Sequence, residues 1–156
     1  MKNKIFHITA RTQNDLYFQK PVSEVWTECL KKLEFAYRSV PSDIMAIVLM
    51  NNHYHLLLKI DPYNIHKFLE LFSPSYLSHY KYELIISYKY LKHAYKYIYR
   101  NPIRANLVRR VEHYPYSSIN YLYNGKSMPF VVVDKFGITD EYKLKWLNSL
   151  QSNLYN

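Results

Sequence analysis

Between Ile44 and Ile60 the chain is almost wholly apolar, and the one break long enough to matter is Asn51-Asn52. Two strand-length halves, Ile44 to Met50 and His53 to Ile60, flank that polar pair, which reads as a β-hairpin folded at the asparagines. A run this apolar reads as a buried strand. The second strand opens with His53-Tyr54-His55. Side chains alternate along a strand, so residues two apart share a face and both imidazoles can reach one cation. His53, His55, Leu57 and Lys59 fall on one face and Tyr54, Leu56 and Leu58 on the other, which puts the histidines off the side expected to be core. Seven histidines in this length would give on the order of 0.3 such triplets by chance, so two half-exposed, unliganded histidines remain an alternative at this point.

Around the hairpin the pattern alternates between strands and helices. Lys4 to Thr12 has a period of two, with Phe6, Ile8 and Ala10 on the core side. Val22, Val25, Trp26, Cys29, Leu30 and Leu33 recur at helical spacing behind Pro21, predicting an amphipathic helix to about Tyr37. Pro62 and Asn64 introduce a short helix over Ile65 to Phe72, and Ser73-Pro74-Ser75 ends it. Tyr82 to Ile86 fits a strand or the start of a helix. Ser87 is the N-cap expected for a helix from Tyr88 to Asn101, with Leu91, Ala94 and Ile98 facing the core. A second stripe on it, His93, Tyr97, Asn101 and Arg104, requires the helix to pass Pro102, and Asn before Pro disfavours helical backbone. Strand, helix, strand, strand, helix, strand, helix is the order of an α+β, ferredoxin-like (RRM-like) sandwich, an antiparallel sheet with helices packed on it. Farther on, Phe130 to Val133 reads as a strand and Glu141 to Leu150 as a final helix using Tyr142, Leu144, Trp146, Leu147 and Leu150, while the tail beyond Gln151 is expected to fray.

The 156 residues suit a single domain with a real core, residues 122–156 forming a C-terminal extension. A formal charge of +9, with 18 Tyr, 7 Phe and 2 Trp, points to nucleic acid as the first partner to consider, since cations gather phosphates and flat rings stack on bases. Abundant Tyr and Lys can also be mere composition. One cysteine, Cys29, excludes an internal disulfide framework and a thiolate zinc site. With neither a secretory leader nor an apolar run of membrane-spanning length, a cytoplasmic location away from membranes is the expectation.

Two imidazoles are too few ligands for a hard cation, which also needs oxygen donors. Asn101 can offer an amide oxygen, and one helical turn before it Tyr97 would bring a phenol to the same place. A phenol attacks phosphodiesters poorly unless a Lewis acid neutralises the charge growing on the phosphate. Tyr88, Tyr90, Tyr95 and Tyr99 crowd the same segment, so spacing singles out Tyr97 only through Asn101.

These residues resemble the one-tyrosine HUH transposase superfamily, and most closely the REP-associated tyrosine transposases. The resemblance rests on Val48-Leu49-Met50-Asn51-Asn52-His53-Tyr54-His55-Leu56-Leu57-Leu58, on Tyr97-Ile98-Tyr99-Arg100-Asn101-Pro102-Ile103-Arg104-Ala105-Asn106-Leu107-Val108, on Tyr114-Pro115-Tyr116-Ser117-Ser118 and on the opening His7-Ile8-Thr9-Ala10-Arg11. The blocks stand in the family's order over roughly residues 4 to 121. The resemblance implies Mg²⁺ or Mn²⁺ held by His53, His55 and Asn101, and Tyr97 as the nucleophile on single-stranded or hairpin DNA. It also implies the same ferredoxin-like fold and allows a homodimer. Relatives carry a longer segment between the histidine strand and the tyrosine helix; here Leu77-Ser78-His79-Tyr80-Lys81-Tyr82 stands in its place.

Arg11, Lys92, Lys96, Arg100, Arg104, Arg109 and Arg110 are the candidate phosphate contacts, guanidinium groups positioning a strand without reading it. A solvated helix face would look the same. The expectation is therefore a metal-dependent DNA endonuclease and strand transferase with a 5′-phosphotyrosine intermediate. Its rivals are a non-cleaving nucleic-acid-binding protein of the same fold and a metal phosphodiesterase that uses water.

Overall fold

In a computed structural model, which describes residues 2–134 and 137–150, the hairpin forms one half of a four-stranded antiparallel sheet, its second strand interior and its first at an edge. Strands β1 (Lys4–Arg11), β2 (Ser42–Leu49), β3 (His53–Ile60) and β4 (His79–Leu84) lie in the order β2-β3-β1-β4. Helix α1 (Val22–Ser39) follows β1, α2 (Ile65–Phe72) follows β3, and α3 (Tyr88–Arg104) follows β4. This is the ferredoxin-like arrangement read from the order of elements. The expected fraying beyond Gln151 lies outside the described residues.

On one face Phe6, Ile8 and Ala10 of β1, Ile47 and Leu49 of β2, and Tyr54, Leu56 and Leu58 of β3 close against Val25, Cys29 and Leu33 of α1 and Phe68, Leu69 and Phe72 of α2. Each such fully buried aliphatic or aromatic side chain contributes about 1.5–3 kcal/mol. The other face is not open to water as alternation alone had it. A second core joins Ala46, Val48 and Leu57 to Leu91, Ala94, Tyr95, Ile98 and Tyr99 of α3, and to Trp146 and Leu147 of a C-terminal helix. A register shift between Ile44 and Ala46 puts Ile44 in the first core with Ile47 and Leu49, while Met45, Ala46 and Val48 enter the second.

Four expectations change. Helix α3 runs through Pro102 to Arg104. The proline is buried, and the helix end closes behind it by Ala105 N–H to Asn101 O (3.0 Å) and Leu107 N–H to Pro102 O (3.0 Å). Strand β4 begins at His79 and ends at Leu84, because pairing with β1 sets its limits, from Arg11 opposite His79 to Phe6 opposite Leu84. Phe130 to Val133 forms no strand: Val132 makes a single bridge to Ile44. The free edge of β2 there is shared with Tyr116 to Ser118, through Leu49 N–H to Tyr116 O and Ser118 N–H to Ile47 O, both 2.9 Å. This covers an edge that would otherwise invite another strand. After the one-turn helix α4 (Asn120–Tyr123), the last helix, α5, spans Asp140–Asn148 under a Thr139 cap and leaves Leu150 93% exposed, outside any packed face. Among the described residues no helix is long and apolar enough to cross a membrane.

Candidate active site

The site begins with the first and third residues of β3, on the face that α3 covers. The His53 and His55 rings lie with centroids 5.0 Å apart and nearly perpendicular. His53 Nδ1 is 2.6 Å from Asn52 Oδ1, a carbonyl oxygen that can only accept, so Nδ1 carries the proton and Nε2 keeps its lone pair. The Asn52 amide is itself oriented by donating from Nδ2 to Asp15 O at 2.9 Å. His55 Nδ1 lies 3.0 Å from His7 Nε2 and 3.2 Å from Thr9 Oγ1, both on β1 and both able to accept. With its proton there, His55 likewise offers Nε2.

Burial sets the charge of all three imidazoles. It pushes His53 down to about 4, helped by the Arg11 guanidinium, and His55 well below the ordinary value, helped by His53 and His7. His7 is lowered by burial too, against the opposing pull of Glu83. Near neutrality they are uncharged, the form in which imidazole binds a metal. Outer hydrogen bonds of the Asn52 type orient a ligand and raise its basicity. Asn52→Ala is thus expected to weaken Mn²⁺ binding about 10–100-fold by calorimetric titration, with little change in unfolding midpoint.

Continuation of α3 past Pro102 puts Tyr97, Asn101 and Arg104 on one helical face. The Tyr97 ring sits 5.6 Å from that of His55 and 6.0 Å from that of His7, centroid to centroid, and Tyr97 is 44% exposed. Its neighbours on the helix are otherwise engaged. Tyr95 and Tyr99 are buried in the second core, bonded to Asp134 and Ser118, and burial drives both phenols up. Tyr90 donates to Glu83, and Tyr88 lies under the Lys92 ammonium. Tyr97 is the phenol of α3 that rests against the histidines while reaching solvent.

Among the described residues no group of three His, Cys, Asp or Glu is placed to hold a metal, so an ion at the two histidines would need a third protein ligand of another kind. Asn101 Nδ2 is buried without a hydrogen-bond partner. A carboxamide turned by half a revolution exchanges its nitrogen for its oxygen, so the orphaned position can present a donor atom instead. Two neutral imidazoles and an amide oxygen suit a hard or borderline divalent ion that keeps open positions for phosphate and water.

The seven basic candidates divide. Arg11 stands opposite His53 in the sheet, exposed and in a 3.4 Å pair with Asp15. Arg104 lies 3.9 Å above the Tyr97 ring, donates to Tyr97 O, and is close enough to His55 to depress it. Lys96 and Arg100 instead join α3 to the C-terminal segment, through Ser149 Oγ at 3.0 Å and Leu147 O at 2.9 Å. Lys92 is over Tyr88, Arg110 is paired with Glu112, and Arg109 is exposed. His7, Thr9 and Asn52 are contributors to which sequence patterns assign no role. The alternation of β1 puts His7 and Thr9 on one face, but only the β1–β3 register, Thr9 opposite His55, brings them to the histidine.

No protein-family model matches the chain, and no curated protein matches it. Among solved structures, it is similar to a REP-associated tyrosine transposase bound to a REP hairpin, with a TM-score of 0.62 at 17% identity. The match covers 87% of this chain and 91% of that one. The shared fold includes the four-stranded antiparallel sheet and the helices packed on it.

Proposed function

We propose that this chain is a metal-dependent single-stranded DNA endonuclease and strand transferase of the HUH type, with Tyr97 as its nucleophile. The observation that carries the reading is the Tyr97 ring set 5.6 Å from His55, beside two neutral histidines whose Nδ1 atoms are engaged by Asn52 and by His7 and Thr9. The blocks around His53 and Tyr97 and the fold shared with a transposase seen on hairpin DNA support the same substrate class.

His53, His55 and Asn101 would hold Mg²⁺ or Mn²⁺. Such an ion would polarise the scissile phosphate and offset charge growing on its non-bridging oxygens. Tyr97 Oη attacks phosphorus as the bond to the 3′-oxygen breaks; the phosphate remains on tyrosine as a 5′-phosphotyrosine, and the phenol's proton is replaced on the departing 3′-oxygen through solvent. In reverse, a 3′-hydroxyl attacks the phosphotyrosine and restores the phenol, so rejoining needs no nucleotide cofactor. The Arg104 guanidinium, stacked on the ring, fixes the phenol and adds positive charge beside the attacking oxygen. Arg11, opposite His53 in the sheet, would hold an adjoining phosphate. Lys96 and Arg100 belong to the joint between α3 and the C-terminal segment in this reading.

The test is a labelled hairpin oligonucleotide with single-stranded flanks, incubated with protein and Mn²⁺ and run on a denaturing gel. Wild type is expected to give a slow covalent band that EDTA and Tyr97→Phe each remove, while Tyr97→Phe still binds in a native gel. Cleavage that survives Tyr97→Phe assigns the attack to water. Binding with no covalent band for wild type assigns the chain to non-cleaving DNA binders.

A further inference from the structure

The loop from Thr12 to Lys20, between β1 and α1, is held tightly yet exposes two large apolar side chains. Thr12 N–H donates to Asn52 O and Phe18 N–H to Asn51 O, both at 3.0 Å, and Thr12 Oγ1 donates to Leu16 O at 2.6 Å. Asn14 and Asp15 each have φ of 55°, a left-handed conformation that two successive side-chain-bearing residues keep only where their surroundings impose it. The result is Leu16 at 66% and Tyr17 at 70% exposure.

Single exposed apolar residues are ordinary on protein surfaces, so exposure alone carries nothing here. Position does. The carbonyl of Asp15, the residue before Leu16, accepts from the same Asn52 side chain whose oxygen accepts the His53 Nδ1–H hydrogen bond. Arg11, at the root of the loop, stands opposite His53, and its pair with Asp15 is between exposed groups and gives way readily to a phosphate. Leu16 and Tyr17 thus lie between two backbone groups, Asp15 O and Phe18 N–H, that are bonded to Asn52 and Asn51, the residues leading into His53.

We infer that Leu16 and Tyr17 form a nucleobase-stacking step at the His53 end of the site, receiving an unpaired base beside the scissile phosphate. The inference rests on the cleavage reading above and narrows its substrate: a paired base has both faces covered within the helix, so the step takes the single-stranded flank and not the stem. Stacking on Tyr17 tolerates any base, because every base has a π-face.

The experiment measures affinity by fluorescence anisotropy for a hairpin with single-stranded flanks, intact or with one abasic site moved through the unpaired positions. Tyr97→Phe serves as the parent so that cleavage does not intervene. Tyr17→Ala is expected to weaken binding of the intact oligonucleotide about tenfold, and Tyr17→Phe to stay within about twofold of the parent. At one unpaired position the abasic oligonucleotide should bind the parent about as weakly as Tyr17→Ala binds the intact one, and there Tyr17→Ala should add no further loss. Unchanged affinity for Tyr17→Ala, or an equal loss on every abasic oligonucleotide, overturns the stacking step. A covalent band from wild type alongside that result leaves the cleavage reading standing. The stacking pattern without any covalent band keeps the step and removes cleavage, and failure of the parent to bind any of these oligonucleotides removes both.

Discussion

Lys143→Met should destabilise the protein by about 3 kcal/mol, because it strips the buried carboxylate of Asp134 of its cation. Lys143 and Asp134 are 2% and 6% exposed, and Lys143 Nζ lies 3.2 Å from Asp134 Oδ2 and 3.0 Å from its carbonyl oxygen. Tyr95 also donates to Oδ2, at 2.8 Å, and burial together with the Asp134 charge raises the Tyr121 phenol. Those phenols keep the loss near the lower end of the range for a broken buried pair. Adding Asp134→Asn removes the stranded charge but keeps an acceptor for the phenols, so the double variant should recover part of the loss. Urea denaturation of the three variants and wild type measures the coupling. A loss of less than about 1 kcal/mol for Lys143→Met would show that the pair is not closed to water. The network matters to the site because Tyr95 is two residues from Tyr97 on α3.

Loss of either histidine of β3 is expected to be nearly as severe for activity, with different effects on stability. A metal that polarises phosphate supplies several kcal/mol in the transition state, so His53→Ala and His55→Ala should each lower Mn²⁺-dependent cleavage by about 10³-fold or more. Calorimetric titration should find Mn²⁺ binding lost in both. His53 is only half-buried, and its removal should leave the unfolding midpoint near that of wild type. His55 is 3% exposed and bonded to His7 and Thr9, so its removal leaves a cavity and unpaired polar groups. A midpoint lowered in His55→Ala alone, with metal binding lost in both, is the expected signature. Retained Mn²⁺ binding in His53→Ala would break the assignment.

Local patterns made much of this architecture legible. The hairpin, α1, α2 and the cap of α3 depend on neighbours within a few residues, where alternation, helical spacing and Ser87 carry the information. What lay out of reach depends on distant partners. Alternation told that His53 and His55 share a face, but not that α3 covers it, so the burial of His55 went unforeseen. A local rule argued against a helix through Asn101-Pro102, and the packing of a buried proline overrode it. Phe130 to Val133 has the branched residues of a strand, yet it meets the edge of β2 only at Ile44, because Tyr116 to Ser118 occupies that edge from Ile47 to Leu49. Spacing set Tyr97 apart by its distance from Asn101, whereas the fold sets it apart by sending Tyr95 and Tyr99 into the core. His7 and Asn52 act through register and turn geometry, which spacing along one strand does not contain.

The most direct measurement is the position of the covalent bond. After incubation of wild type with a hairpin oligonucleotide and Mn²⁺, protease and nuclease digestion followed by tandem mass spectrometry should find a nucleotide phosphate on the peptide containing Tyr97, with the modification on that residue. A phosphate on another of the 18 tyrosines, or cleaved DNA with no modified tyrosine, would contradict the account.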